Sequence, residues 1–147
     1  MDTPMLRAAV LFAASTLVNT IIGFRRGVPG EPFGLAVPGA SLADRASTLL
    51  LTSGVSAPWP MPAAGLTAAA CARPGRAWPR RTAIVVGGAV LCGTLVEPVT
   101  WGRRSRAPLV LATVPLNLLS GVALILAGRG AAPIPGRTQL HSTPAAP

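Results

Sequence analysis

Apolar residues fall in four long segments, none of which contains more than one charged residue. The segments cover residues 5–24, 47–70, 82–101 and 107–127. Each is close to the 17–25 residues that a helix needs to cross a bilayer. The pattern predicts an all-α protein, a transmembrane four-helix bundle over residues 1–128. Proline, glycine and polar residues follow, and they predict a disordered tail over residues 129–147.

The second apolar segment contains a cluster of prolines in its middle. Pro58, Pro60 and Pro62 alternate with Trp59 and Met61. Each proline removes a backbone donor and clashes with the preceding helical turn. We therefore expect this helix to be broken, or split into two short helices. Such a break either shapes the packing or marks a binding site, with Trp59 as a candidate ligand contact.

Small residues recur at four-residue spacing in the third segment. The pairs are Ala83 and Gly87, Gly88 and Cys92, and Ala89 and Gly93. This spacing lets a second helix backbone approach closely. It predicts packing through Gly87, Gly88, Cys92 and Gly93, either within the chain or between two copies.

Two asparagine residues are the main neutral polar candidates, Asn19 in the first segment and Asn117 in the fourth. Lipid offers an amide no hydrogen-bond partner, so both side chains should turn inward. Gly121 lies one helical turn from Asn117 and should share its face. The two asparagines either bond across helices or contact a ligand.

Glu97 is the only acidic residue within or at the edge of a predicted span. An ionisable residue inside a membrane is costly and often marks a proton or substrate pathway. Arg103, Arg104 and Arg106 follow closely in the sequence. Three interpretations stay open: an interfacial ion pair, proton coupling and ligand binding.

The composition excludes several functional classes. Charged residues make up 12% of the chain, about half of the roughly 25% found in soluble domains. All 13 basic residues are arginine, and they flank the apolar segments instead of forming a face with interleaved aromatic residues, so we expect no nucleic-acid partner. We find no catalytic motif and no metal-ligand spacing, and expect neither enzymatic activity nor a metal or cofactor.

The stretches GVSAPWP over 54–60 and EPVTW over 97–101, with the alanine-rich, lysine-free composition, resemble uncharacterised small four-span membrane proteins of GC-rich bacteria. The resemblance implies the bacterial cytoplasmic (inner) membrane and no particular activity. Four spans would place seven arginines on one side and six on the other. The tight basic loop over 73–81 favours cytoplasmic termini.

Two functions follow from these observations. The first is a non-enzymatic scaffold or accessory subunit in the lipid bilayer, as a homo-oligomer or bound to a larger membrane protein. The alternative is a small oligomeric transporter or ligand-binding protein that uses Glu97 and the Pro58–Pro62 break.

Overall fold

A computed structural model describes residues 2–26, 56–102 and 107–130, and its elements there are all helical. We number the helices in chain order, and a 3₁₀ turn over Pro98–Trp101 follows α3. The helices are α1 (Thr3–Arg26), α2 (Pro60–Ala70), α3 (Trp78–Val96), α4 (Pro108–Leu111) and α5 (Thr113–Arg129). The predicted all-α class is confirmed for the described part of the chain.

Three helical stretches are long and apolar enough to cross a membrane: α1, α3, and α4 with α5 taken together over Pro108–Arg129. The protein therefore has the character of an integral membrane protein. Helix α2 has 11 residues, which gives a length of about 16 Å, short of the roughly 30 Å hydrocarbon core. The second predicted span, 47–70, is thus described only from residue 56 onward, because residues 47–55 lie outside the described ranges.

The proline cluster begins a helix. Pro60 and Pro62 lie in the first turn of α2, where a missing N–H costs nothing because it would have no helical partner. Pro62 is also fully buried. In the described residues, the break that the prolines predict therefore coincides with the start of α2.

The fourth apolar segment is interrupted between α4 and α5 at Ala112. Pro115 lies three residues further on and supplies no N–H, so the Leu111 carbonyl loses its helical donor. This missing hydrogen bond accounts for the irregular turn.

The helix of the third predicted span, 82–101, has different bounds in the structure. Helix α3 begins at Trp78 and ends at Val96, which leaves Glu97 beyond the helix. Of the predicted tail, residues 131–147 lie outside the described ranges.

The helices form a ring in which α5 packs on α3 and α1, and α2 packs on the same two helices from the other side. Hydrogen bonds join Ser15 to Ser120 and Asn19 to Asn117, so α1 and α5 are antiparallel. Gly87 lies against Gly121, and Gly128 lies against Arg80, so α3 and α5 are antiparallel too. Consequently α1 and α3 run in the same direction.

Helix α2 runs opposite to α1. The Thr20 hydroxyl lies 3.2 Å from the Ser56 hydroxyl, whereas a Cβ atom on Gly65 would lie 3.9 Å from the ring of Phe12. The chain thus returns along α2 to the end of the bundle where α1 began. Thr3 and Arg129 therefore lie at the same end.

The interior changes from apolar to polar along the bundle axis. We call the half around Phe12 the apolar end and the half around Asn19 the polar end. The apolar end buries Met5, Ala8, Ala9, Phe12, Ala69, Ala72, Ala83, Val86 and Leu124. The polar end buries Ser15, Thr16, Asn19, Thr20, Ser56, Thr94, Thr113, Asn117 and Ser120, together with the apolar Val90 and Val110. Large apolar side chains such as Leu17, Val85 and Leu119 point outward, an inverted polarity that suits a lipid environment.

Candidate functional site

An amide pair joins α1 to α5 at the polar end. The Asn19 Nδ2 group donates to Asn117 Oδ1 at 2.7 Å. Asn19 is fully buried and Asn117 is 8% exposed. The two residues are 98 positions apart in the chain, and the antiparallel packing of α1 and α5 brings them together. The structure therefore places both sequence-predicted asparagines in one interhelical contact.

Hydroxyl groups extend this contact along α1 and α5. The Ser120 hydroxyl lies 3.0 Å from the Ser15 hydroxyl, one turn from the asparagine pair. Thr16 and Thr20 donate to carbonyls one turn earlier in α1, at 2.9 and 2.7 Å. Such bonds to the preceding turn are how serine and threonine satisfy their hydrogens inside a helix. The polar end is thus a connected set of short neutral side chains.

The chemistry available at the polar end is hydrogen bonding. The buried polar residues there are serine, threonine and asparagine, none of which exchanges protons near neutral pH. Within residues 2–26, 56–102 and 107–130 there is also no group of three metal-ligating side chains. The Asn19 Oδ1 atom is buried and has no hydrogen-bond partner among the described residues. The set can therefore accept a hydrogen bond from a guest, and it holds no described acid or base.

Glycine residues bring the backbones of α3 and α5 together. A Cβ atom on Gly87 would lie 2.6 Å from the Gly121 carbonyl oxygen, and one on Gly121 would lie 3.0 Å from the Gly87 carbonyl oxygen. Gly128 makes a similar approach, with 2.7 Å from its Cβ position to the Arg80 carbonyl oxygen. Two predicted packing residues, Gly87 and Gly121, thus meet each other. Gly128 was missed because it stands alone near the end of the fourth segment.

The other small residues of α3 lie on a different face. A Cβ atom on Gly88 or Gly93 would meet no described heavy atom within 4 Å, and Cys92 is exposed. The packing within the chain that their spacing suggested is therefore absent from the described residues. The reason is helical geometry: Gly88 is about 100° around the axis from Gly87, and only the Gly87 face meets α5.

Glu97 lies at the junction between α3 and the 3₁₀ turn, where its backbone N–H bonds the Gly93 carbonyl. The side chain is half-buried, and burial raises the pKa of its carboxyl group to about 7. Thr100 and Trp101 fold back over this junction and donate side-chain hydrogens to the carbonyls of Thr94 and Leu95. The arginines expected to pair with Glu97, Arg103, Arg104 and Arg106, lie outside the described ranges.

Glu97 and the asparagine pair occupy different depths. Gly121 faces Gly87, so Asn117 is about 6 Å from that level and Glu97 about 15 Å, at 1.5 Å per residue. Trp59 is half-buried and immediately precedes α2, three residues after Ser56 at the polar end. Of the four predicted ligand or proton-coupling candidates, only Asn19 and Asn117 are shown to be bonded to each other.

Sequence reasoning missed the hydroxyl residues of the polar end. Ser15 and Asn19, and Thr16 and Thr20, are each four residues apart and therefore share a face of α1. Ser120 and Asn117 are three apart on α5. Polar residues at helical spacing within an apolar segment were the signal that could have identified them.

Comparison with protein-family models, with curated proteins and with solved structures finds no match to this chain. The resemblance to four-span proteins of GC-rich bacteria thus stays a prediction. Arguments about function depend on the bundle itself.

Proposed function

We propose that this protein is a multi-pass integral membrane protein that crosses the bilayer four times and acts as a non-enzymatic scaffold or accessory subunit. The observation that carries the proposal is the division of polarity in the bundle. Its polar side chains are neutral, buried and bonded inward, whereas α3 presents small residues outward. A bundle of this kind stabilises itself and leaves one face suited to another helix.

Helix direction supports four crossings. Since α1 and α3 are parallel and each is long enough to cross a membrane, we expect a return crossing between them, with α2 as its described part. Trp78 begins α3 and Trp101 lies beyond its end, and both are exposed. The 19 residues of α3 span about 28 Å, which would place these indoles at the two interfaces of the membrane.

The outward face of α3 supports a partner within the bilayer. Gly88 and Cys92 lie one turn apart, and Ala89 and Gly93 follow the same spacing. All four are exposed or half-exposed. In lipid, helices associate through close backbone contact at small residues, because there is no hydrophobic gain from leaving the acyl chains. A larger membrane protein or a second copy would dock here.

Cysteine crosslinking tests this role. The chain has two cysteines, so Cys71→Ser leaves Cys92 alone on the outer face of α3. With this variant in its native membrane, we expect a short thiol crosslinker to join Cys92 to a partner helix, in a complex of defined mass in mild detergent. Cys92→Ser, which keeps Cys71, is the matched control and should give no product.

A bulky side chain on the same face gives a second test. Gly88→Leu should dissociate the complex, because a Cβ atom at Gly88 meets nothing within the described chain and the fold is spared. A monomeric native protein without a Cys92 crosslink would contradict the proposal.

A second candidate function is proton-coupled transport, and the half-buried Glu97 favours it. A carboxyl group with a pKa of about 7 exchanges protons under physiological conditions. The test is flux in proteoliposomes under a pH gradient, with Glu97→Gln as the inactive variant and Glu97→Asp as the conservative control. Flux in the native protein that Glu97→Gln abolishes, with insertion unchanged, would replace the scaffold proposal with this one.

A further inference from the structure

Some hydroxyl groups at the polar end make more hydrogen-bond contacts than they have hydrogens. The clearest case is the Ser15–Ser120 pair, which makes three contacts. Ser15 donates to the Phe12 carbonyl at 2.8 Å, Ser120 lies 2.7 Å from the Leu116 carbonyl, and the two hydroxyls are 3.0 Å apart. Two hydroxyls carry two hydrogens. One of the three contacts therefore always lacks a hydrogen.

Hydroxyl groups along α1 also share partners. The Phe12 carbonyl is within bonding distance of both the Ser15 and the Thr16 hydroxyls, so two hydrogens meet at this one acceptor. The single hydrogen of Thr20 faces two acceptors, the Thr16 carbonyl at 2.7 Å and the Ser56 hydroxyl at 3.2 Å. Ser15, Thr16 and Thr20 thus spend their hydrogens on backbone carbonyls, and a hydroxyl oxygen can still accept a hydrogen bond.

One acceptor at the same end has no hydrogen at all. Asn19 spends a hydrogen on Asn117, and its own Oδ1 atom is buried without a partner among the described residues. A buried acceptor without a hydrogen destabilises the folded state. The fold therefore gains stability from a guest that supplies a hydrogen here.

Charge narrows the chemistry of that guest. The buried residues of the polar end include no carboxylate to balance a cation, and Glu97 lies about 9 Å further along the bundle axis than Asn117. Arg25 and Arg26 end α1 on this side. An anion offers no hydrogen to the unpartnered Asn19 oxygen, which can only accept. A neutral molecule that donates more readily than it accepts is the remaining class.

We infer that the polar end binds one small uncharged hydrogen-bond donor between α1 and α5, with the Asn19 carboxamide oxygen as its principal acceptor. Water is the smallest member of the class, and a solute with an amide or hydroxyl group is the alternative source of the same chemistry. The inference depends on the packing of α1 against α5 and holds whether or not the protein has a scaffold role.

Selective labelling makes the site observable, because asparagine occurs only at positions 19 and 117. The full chain is labelled with ¹⁵N in asparagine and glycine and reconstituted in lipid nanodiscs. Magnetisation is then transferred from water to the protein. We expect transfer to the Asn19 carboxamide, which Asn117→Gln assigns because it leaves Asn19 as the only asparagine. The exposed Gly75 is the positive control, and Gly88, within α3 on its outer face, is the negative one.

Three comparisons complete the test. Asn19→Leu should abolish transfer at Asn117 if the guest is held by the Asn19 oxygen. Urea added outside the nanodisc distinguishes the sources: a saturable shift of the Asn19 signal indicates a solute, and an unchanged signal indicates water. Absence of transfer to Asn19 in the native chain, with transfer at Gly75, would overturn the inference. A shift of the Asn19 signal that ammonium chloride produces and urea does not would also overturn the inference. The native measurement needs no variant to fold.

Discussion

At the residue scale, the amide pair shows how a polar residue in a membrane helix depends on its partner. Asn19 and Asn117 bond at 2.7 Å in the interior. Such bonds average about 0.6 kcal/mol in membrane proteins and reach about 1.7 kcal/mol. The pair thus fixes the register of α1 on α5 more than it adds stability.

A double-mutant cycle measures this pair. We expect Asn19→Leu and Asn117→Leu each to lower the free energy of unfolding, because each leaves one amide unpaired. The double variant should lose less than the sum, with a coupling of about 0.5–1.7 kcal/mol. Unfolding in mixed micelles with increasing SDS is the measurement. Strictly additive losses would show that the two side chains do not interact.

Glu97 gives a pH-dependent prediction, again at the residue scale. Its pKa is raised from 4.5 to about 7 by burial, so the folded protein holds this proton more tightly than the unfolded chain does. Folding stability should therefore fall as the pH rises from about 4.5 to about 7, and then level off. For a half-exposed carboxyl group the loss is on the order of 1 kcal/mol, reduced by solvent screening.

The comparison with Glu97→Gln isolates this effect. The variant stays neutral, so its unfolding free energy at pH 8 should exceed that of the native protein, and the two should converge near pH 4. The other ionisable groups are the same in both proteins and cancel in the difference. A difference curve that is flat between pH 4 and 8 would show that burial does not perturb this carboxyl group.

At the element scale, two neighbouring glycines of α3 have opposite roles. Gly87 faces the α5 backbone and Gly88 faces outward. We expect Gly87→Ala to destabilise the protein by about 1–3 kcal/mol, because the methyl group overlaps the Gly121 carbonyl. Gly88→Ala, the matched control, should be neutral or stabilise by up to about 1 kcal/mol through helix propensity.

The same SDS titration compares these two variants. Equal effects of the two substitutions would mean that α3 does not pack on α5 through Gly87. A loss for Gly88→Ala alone would indicate that the outer face of α3 is the one in contact.

At the scale of the whole molecule, helix direction determines topology. Thr3 and the loop before α3 lie at one end of the bundle, and Arg26 lies at the other. In a chain without native cysteines, we expect Thr3→Cys and Pro74→Cys to react with an impermeant maleimide from the same side of the membrane. Arg26→Cys should react from the opposite side.

This labelling also tests the four crossings and the orientation. Pro74→Cys labelled from the Arg26 side would mean that the region containing α2 does not cross the bilayer, and the four-span proposal would fail. Labelling of Thr3→Cys from the cytoplasmic side would agree with the weak arginine asymmetry, and labelling from outside would reverse the orientation.

The sequence by itself determined the helical class and the location of the apolar segments. Length and the lack of charge are local properties, and the cost of exposing backbone groups to lipid leaves helices as the outcome. For the same reason the inward position of Asn19 and Asn117 was predictable, since lipid offers an amide no partner.

Only the tertiary structure decided which residues meet. The spacing of small residues in α3 was equally good for three pairs, and packing on α5 selected the face with Gly87. The prolines at 58–62 predict a break within a helix, yet in the structure they begin α2. A proline costs nothing in the first turn of a helix, and where a helix starts depends on what precedes it. Contacts between α1 and α5 join residues about 100 positions apart, which no local pattern encodes. The unpartnered Asn19 oxygen lies at one of those contacts, and so it became visible only when the helices were assembled.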